Sequence, residues 1–281
     1  ATGGGGINMY GKASTAAVYD QPLDIYGNIL ANSGPITIIA ENNVANQTGL
    51  FLGTNVTLGS KTGTNVTSSS SNIVIKSDNT VFNVVTPINT SGTVTIVPLD
   101  ASTSFGAAQT LGSNTVFSTN VSGLTVGKPS NTANITFGST TNIAGPITAY
   151  GGTIAVNENL NTTSGSANGN ILLKSAATIS IAASKSIITN GGNITFWADN
   201  DANGTGGIKV DDSVTIDSRT NTDRTGNAHT TGGGKITFAG GLDDGGAASG
   251  TSLLTTGLVS NDGFPDGYAV NSGSGSSTTP N

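Results

Sequence analysis

Short runs of Val, Ile and Leu recur along the chain, separated by stretches of Thr, Ser, Asn and Gly. Within the runs apolar and polar residues alternate, the period of a strand with one buried face. β-Branched residues set between turn formers are strand chemistry. No stretch keeps the helical apolar period over three turns, so almost no helix is expected.

One phrase returns: a small residue, any residue, then two β-formers flanking Thr or another residue. It reads Gly34-Pro-Ile-Thr-Ile38, Ser71-Asn-Ile-Val-Ile75, Gly92-Thr-Val-Thr-Ile96 and Ala133-Asn-Ile-Thr-Phe137. It comes back as Gly145-Pro-Ile-Thr148, Gly169-Asn-Ile-Leu-Leu173, Gly192-Asn-Ile-Thr-Phe196 and Gly234-Lys-Ile-Thr-Phe238. The starts lie 37, 21, 41, 12, 24, 23 and 42 residues apart. Most intervals are one or two units of roughly 21–24 residues, a period that signals solenoids and arrays; the 12 and the 37 fit less well. Between Gly169 and Gly191 a unit holds three strand-like pieces, 171–174, 178–182 and 186–189. The expected fold is therefore all-β, a parallel β-helix or β-solenoid with irregular rungs and three short strands per rung.

In such a rung alternate side chains face a narrow core. Ile171, Ile179, Ile181, Ile194, Phe196, Ile236 and Phe238 are expected to line it, with Thr37, Thr95, Thr195 and Thr237 outward. Each buried Ile, Val or Phe contributes about 1.5–3 kcal/mol, but one rung cannot cover both its edges, so stability has to come from the stack. Roughly nine rungs at about 4.8 Å each would make a rod about 40 Å long. A string of β-sandwich domains is the competing fold, since it also shows short strands at close spacing. Sandwiches usually carry a core Trp and larger aromatics, and this chain has only Trp197.

Composition narrows the picture. Only 9% of residues are charged and none is Cys, which argues against a disulfide scaffold without excluding secretion. Through residue 198 six acids meet six lysines; beyond it ten Asp face Lys209, Arg219, Arg224 and Lys235, so the whole net charge of −6 belongs to one end. That balance speaks against nucleic acid, which requires a basic patch. No apolar run approaches the length of a membrane helix, and Ala1–Gly6 has neither the basic start nor the apolar stretch of a signal peptide, as expected of an excised or processed piece. The chain divides into lead-in strands or a cap over 1–33, the solenoid over 34–241, a terminal turn or cap over 242–270 and a flexible Ser/Gly/Thr linker over 271–281.

The stretch Gly192-Asn-Ile-Thr-Phe-Trp-Ala-Asp-Asn-Asp-Ala-Asn-Gly-Thr-Gly-Gly-Ile208, with Gly232-Gly-Gly-Lys-Ile-Thr-Phe-Ala-Gly-Gly241, resembles the repeat regions of large bacterial adhesins of the filamentous-haemagglutinin-like class, including giant surface proteins of gliding bacteria. The likeness is best over 169–241 and looser over 34–156. It implies a shaft that holds adhesive parts away from the cell: an extracellular, cell-surface, non-enzymatic segment whose partners are neighbouring repeats of the same large protein and surface glycans or other cells. A β-helical polysaccharide-binding or polysaccharide-degrading protein is the alternative.

Asp199-Asn-Asp201-Ala-Asn203-Gly204 fits the first half of a D-x-[DN]-x-[DN]-G calcium loop, in which alternate oxygen side chains converge and Gly permits the sharp turn. Val210 occupies the place of the distal Glu, and Asp211 or Asp212 could substitute. Calcium is thus the one cofactor suggested, against an ordinary polar turn in which Asp, Asn and Gly are favoured anyway. Trp197 is expected to point opposite to Phe196, covered by the insertion Arg219–Thr231 or stacked on a sugar. Catalysis has little support: the only histidine is His229, and Asp211-Asp212 and Asp243-Asp244 are the only carboxylate doublets for a glycosidase-type pair.

Overall fold

In the computed structural model the chain winds through three parallel faces, and the sequence-read β-helix is the architecture observed. Residues 4–13, 21–42, 48–83, 85–165, 169–225 and 233–241 are described; the segments 242–270 and 271–281, Asp243-Asp244 and His229 lie outside them. The first face is a single nine-stranded sheet of Ile7–Lys12, Ile36–Glu41, Ile73–Ser77, Thr93–Val97, Gly123–Val126, Ile147–Gly151, Ile171–Ser175, Ile194–Ala198 and Ile236–Gly240, each parallel to the next. The other two faces carry one short strand from each rung. Ile171–Ser175, Ile179–Ile181 and Ser186–Thr189 make one rung, matching the three pieces read from sequence.

Register explains the alternation. Ile7, Ile36, Ile73, Val94, Leu124, Ile147, Ile171, Ile194 and Ile236 form one inward column across the sheet. Two residues on, a second column runs from Met9 through Ile38, Ile75 and Ile96 to Phe196 and Phe238, whose rings tilt together at 5.2 Å. Together with the inward residues of the other faces they build one continuous core. Between these columns Thr37, Thr95, Thr195 and Thr237 face outward, half-buried by neighbours above and below. The expected core holds for Ile171, Ile179, Ile181, Ile194 and Phe196, all at 0–1% exposure. Ile236 is the exception at 39% exposed, and Phe238 is only partly buried. Their strand is the last of the described sheet, so each has a packed neighbour on one side only.

Two readings of the repeat are corrected. Residues 133–137 do not begin a rung. Ile135–Phe137 belongs to the second face, paired with Gln109–Leu111 and Ile154–Val156, and the first-face strand of that rung is Gly123–Val126. The 12-residue interval is therefore the distance from one rung's second strand to the next rung's first. The sheet also starts at Ile7, and Ile7–Lys12, Leu23–Ile25 and Ile29–Leu30 supply one strand to each face, a full rung before residue 34. First-face strands begin 24, 24 and 23 residues apart between Gly123 and Ile194, but 37 apart from Ile36 to Ile73 and 42 apart from Ile194 to Ile236. Among the described residues the added length falls between strands, as at 60–72 and 199–207, and the sheet register stays intact.

The recurring phrase has two physical causes. Its Asn caps the strand start of the next rung: Asn72 accepts from Thr93 N–H at 2.9 Å, Asn134 from Thr153 at 2.9 Å, Asn170 from Asn193 at 2.7 Å and Asn193 from Lys235 at 2.8 Å. Since Asn134 does this on the second face, the phrase marks a capped strand and not a particular face. Its Gly answers close approach. A methyl group on Gly92, Gly145 or Gly234 would overlap the carbonyl oxygen of Ser71, Ser122 or Gly192 in the preceding rung.

Candidate functional site

The Asp199–Gly204 loop follows the first-face strand Ile194–Ala198 and is tied to the rung beneath it. Asp199 N–H donates to Ala177 at 3.1 Å and Asn200 N–H to Ser175 at 3.0 Å. Asp199 and Ala202 take the left-handed conformation at φ 50° and 52°, as does Gly204 at 77°. The oxygen side chains serve one another: Asn203 Nδ2 donates to Asp201 Oδ2 at 2.9 Å, and the side-chain oxygen of Asn203 accepts from the Thr205 N–H at 2.8 Å and from its hydroxyl. Asp199 Oδ1 is buried without a partner. Its carboxyl is pushed above the usual range, first by burial and then by the charge of Asp201.

Asp211 and Asp212 lie at the next corner, after Ile208–Val210. Asp211 is paired with Lys209 at 2.8 Å, and the Asp212 carbonyl accepts from Ser184 N–H. Among the described residues no group of three or more His, Cys, Asp or Glu side chains is gathered as a metal would require. Asp199, Asp201 and Asn203 thus share one turn, while Asp211 is held by a lysine.

Trp197 points away from the core cluster that takes Phe196, yet it is only 5% exposed. Its indole N–H donates to Gly241 carbonyl at 2.7 Å, and the Lys174 ammonium stands 3.4 Å from the ring centroid. The two residues are register partners on neighbouring strands. Among the described residues a cation and the closing strand's end cover the ring; residues 226–231 of the expected Arg219–Thr231 insertion lie outside them.

A further cluster escapes sequence reading. Asp217, buried at 8% exposure, accepts from Arg219 Nη2 at 2.7 Å and from Arg224 Nε at 3.1 Å. Hydrogen bonds from the Arg219 side chain, assisted by its backbone N–H and by Arg224, hold the Asp217 carboxyl far below the usual carboxylate range. Arg224 also donates to Asn221 Oδ1 at 2.8 Å and to the carbonyls of Thr189 and Arg219 at 2.7 and 2.8 Å. The short helix Asn221–Thr225 that carries it reaches back down the stack: Asn221 N–H donates to Asn190 Oδ1 at 2.7 Å, and its side chain to the Thr163 carbonyl at 3.0 Å. The turn clasps three successive rungs from outside. An acid and two arginines at offsets of two and seven read in sequence as dispersed charge, and no local signal announces their convergence.

No family model, no curated protein and no solved structure matches the chain.

Proposed function

We propose that the chain is a non-catalytic shaft segment of an extracellular surface adhesin or filament, which serves attachment by holding other regions away from the cell. The observation that carries this reading is the nine-stranded parallel sheet, which gains one strand per rung along a single direction over a continuous core. Such a stack lengthens without enlarging a globular core, and adjoining repeats of the same kind can add to it strand by strand. One outward column of the first face carries Thr37, Thr95, Thr125, Thr148, Thr195 and Thr237, suited to solvent. Five of the described carboxylates are held in ion pairs: Glu41 with Lys12, Asp100 with Lys76, Glu158 with Lys185, Asp211 with Lys209 and Asp217 with two arginines. No helix among the described residues is long and apolar enough to cross a membrane.

The test is surface labelling. Antibodies raised against the folded chain should mark intact producing cells as strongly as permeabilised ones. Labelling that appears only after permeabilisation would refute the extracellular shaft.

A further inference from the structure

Unlike the first face, the second and third are each split into two sheets. On the second, one sheet ends at Thr80–Phe82 and the next begins at Gln109–Leu111. On the third, one ends at Thr115–Phe117 and the next begins at Thr141–Asn142. Both gaps border the rung that begins at Thr93, one beneath its second strand and one above its third. The first face runs unbroken past them, with Thr93–Val97 paired to Ile73–Ser77 below and to Gly123–Val126 above. The stack is thus two bodies joined by one continuous sheet and by the chain at 112–114.

Side chains take over where the ladder stops. Thr80 N–H donates to the Gln109 side-chain oxygen at 3.2 Å, whereas Gln109 N–H finds a backbone carbonyl, that of Asn134, at 2.8 Å in the next rung. Asn114 Nδ2 donates to the carbonyls of Phe82 and Asn83 at 3.0 and 2.9 Å, which ties the third strand to the lower body. At the corner beside the first face, Gly106 N–H donates to the Asp78 carbonyl at 2.8 Å.

The inward residues change at the same place. The second-face column reads Leu23, Leu50 and Thr80 below the gap, then Gln109, Ile135 and Ile154 above it. On the third face Thr86 and Thr115 lie below the gap, with Thr141 and Leu160 above. Thr80, Gln109, Thr115 and Thr141 are all buried, yet parting them exposes less apolar surface than parting Ile or Leu would. Among the described residues five buried side-chain atoms lack a hydrogen-bond partner, and Asp78 Oδ1, Thr80 Oγ1 and Thr115 Oγ1 are three of them. An unpaired buried group raises the free energy of the closed state, and water reaching it relieves that cost.

We propose that this seam is a hinge: the stack bends about the unbroken first face while the two gaps on the opposite side open and close. The inference depends on the fold and not on the shaft reading, which surface labelling tests separately.

Pulsed electron paramagnetic resonance of the whole chain provides the test. The chain has no Cys, so introduced pairs take spin labels uniquely. Asp24→Cys with Lys209→Cys places labels on exposed outward positions of the second face, one in each body. Asn8→Cys with Thr237→Cys places them on the outward column of the first face. A rotation of about 15°, as rigid-body transitions show, across sheets about 10 Å apart opens about 3 Å. Second-face distances should spread beyond first-face distances by about that amount. Gln109→Ala, which removes the bridge, should widen the second-face distribution. Thr80→Val with Thr115→Val, which replaces the unpaired hydroxyls by methyls, should narrow it. Equal widths for the two label pairs, or a second-face width that neither variant moves, would overturn the hinge. Should Gln109→Ala fail to fold by circular dichroism, the paired valines decide alone.

Discussion

The backbone N–H of Asn193 donates to the side-chain oxygen of Asn170 at 2.7 Å, one rung below, while the side chain of Asn193 takes the N–H of Lys235 at 2.8 Å. Side chain and backbone thus hand a hydrogen bond up the stack at the point where each strand begins. Asn170→Ala should cost about 0.5–1.5 kcal/mol in urea unfolding, the net worth of one such bond, and Asn170→Asp should restore most of it because a carboxylate accepts equally well. Equal stability of Asn170→Ala and the parent chain would show the Asn ladder to be incidental.

Close backbone approach should separate glycines that look alike in sequence. A methyl group on Gly145 would overlap the Ser122 carbonyl, whereas on Gly112 its nearest neighbour would be Thr110 Cγ2 at 3.6 Å, an ordinary contact. Gly145→Ala should lower the melting temperature well beyond Gly112→Ala, whose effect should stay within the range of about ±0.5 kcal/mol typical of unconstrained surface changes. Equal melting shifts would count against the rung spacing at that corner.

Two acids of the charged end should respond to pH in opposite senses. Asp217 has a depressed carboxyl, so its contribution to stability is complete above the unfolded value near 4 and is lost as pH falls through the lower folded value. Asp199 has a raised carboxyl, so the folded state favours its protonated form and its ionisation costs stability as pH rises through the folded value. Asp217→Asn should therefore destabilise at pH 7, by about 1.5–3 kcal/mol for hydrogen bonds to a charged group, and lose its effect in strong acid. Asp199→Asn should stabilise at pH 7, since it removes the repulsion with Asp201 and Asn tolerates the left-handed φ of 50°. Melts across pH 2–8 distinguish the pair, and a reversed sign for either would refute its assignment.

Calcium offers a related check. With the side chains of Asp201 and Asn203 bonded within their own turn and Asp211 held by Lys209, melts in millimolar calcium and in chelator should coincide. A calcium-dependent rise that Asp199→Ala with Asp201→Ala abolishes would establish the metal loop instead.

What was legible in the sequence and what was not follow from the range of the forces. Alternation along each strand is local, so the inward Ile and outward Thr positions could be read directly. The Gly and Asn of the phrase encode contacts to the next rung, and they repeat because every rung faces the same neighbour. The face a phrase occupies is not local: Gly123-Leu-Thr-Val126 lacks the Asn and went unrecognised, while Asn134 caps a second-face strand with the same signature. Ile236 shows the inward pattern of its column yet is exposed, because its strand is the last of the described sheet. Cover for Trp197 came from Lys174, a register partner on the neighbouring strand of the preceding rung, which no spacing rule would select. The Asp217–Arg219–Arg224 cluster is local, but it sits in a corner that no other rung repeats, so nothing periodic marks it.

The most direct measurement removes whole rungs. Deleting Thr93–Gly145 excises the rungs that begin at Thr93 and Gly123 and joins Gly92 to Pro146, placing the strands from Ile73 and Ile147 in adjacent register. Small-angle scattering of the shortened chain should show a folded rod about 10 Å shorter, two strand spacings, with an unchanged cross-section. Loss of the cooperative fold, or a change in cross-section at constant length, would contradict a shaft whose length is set by the number of its rungs.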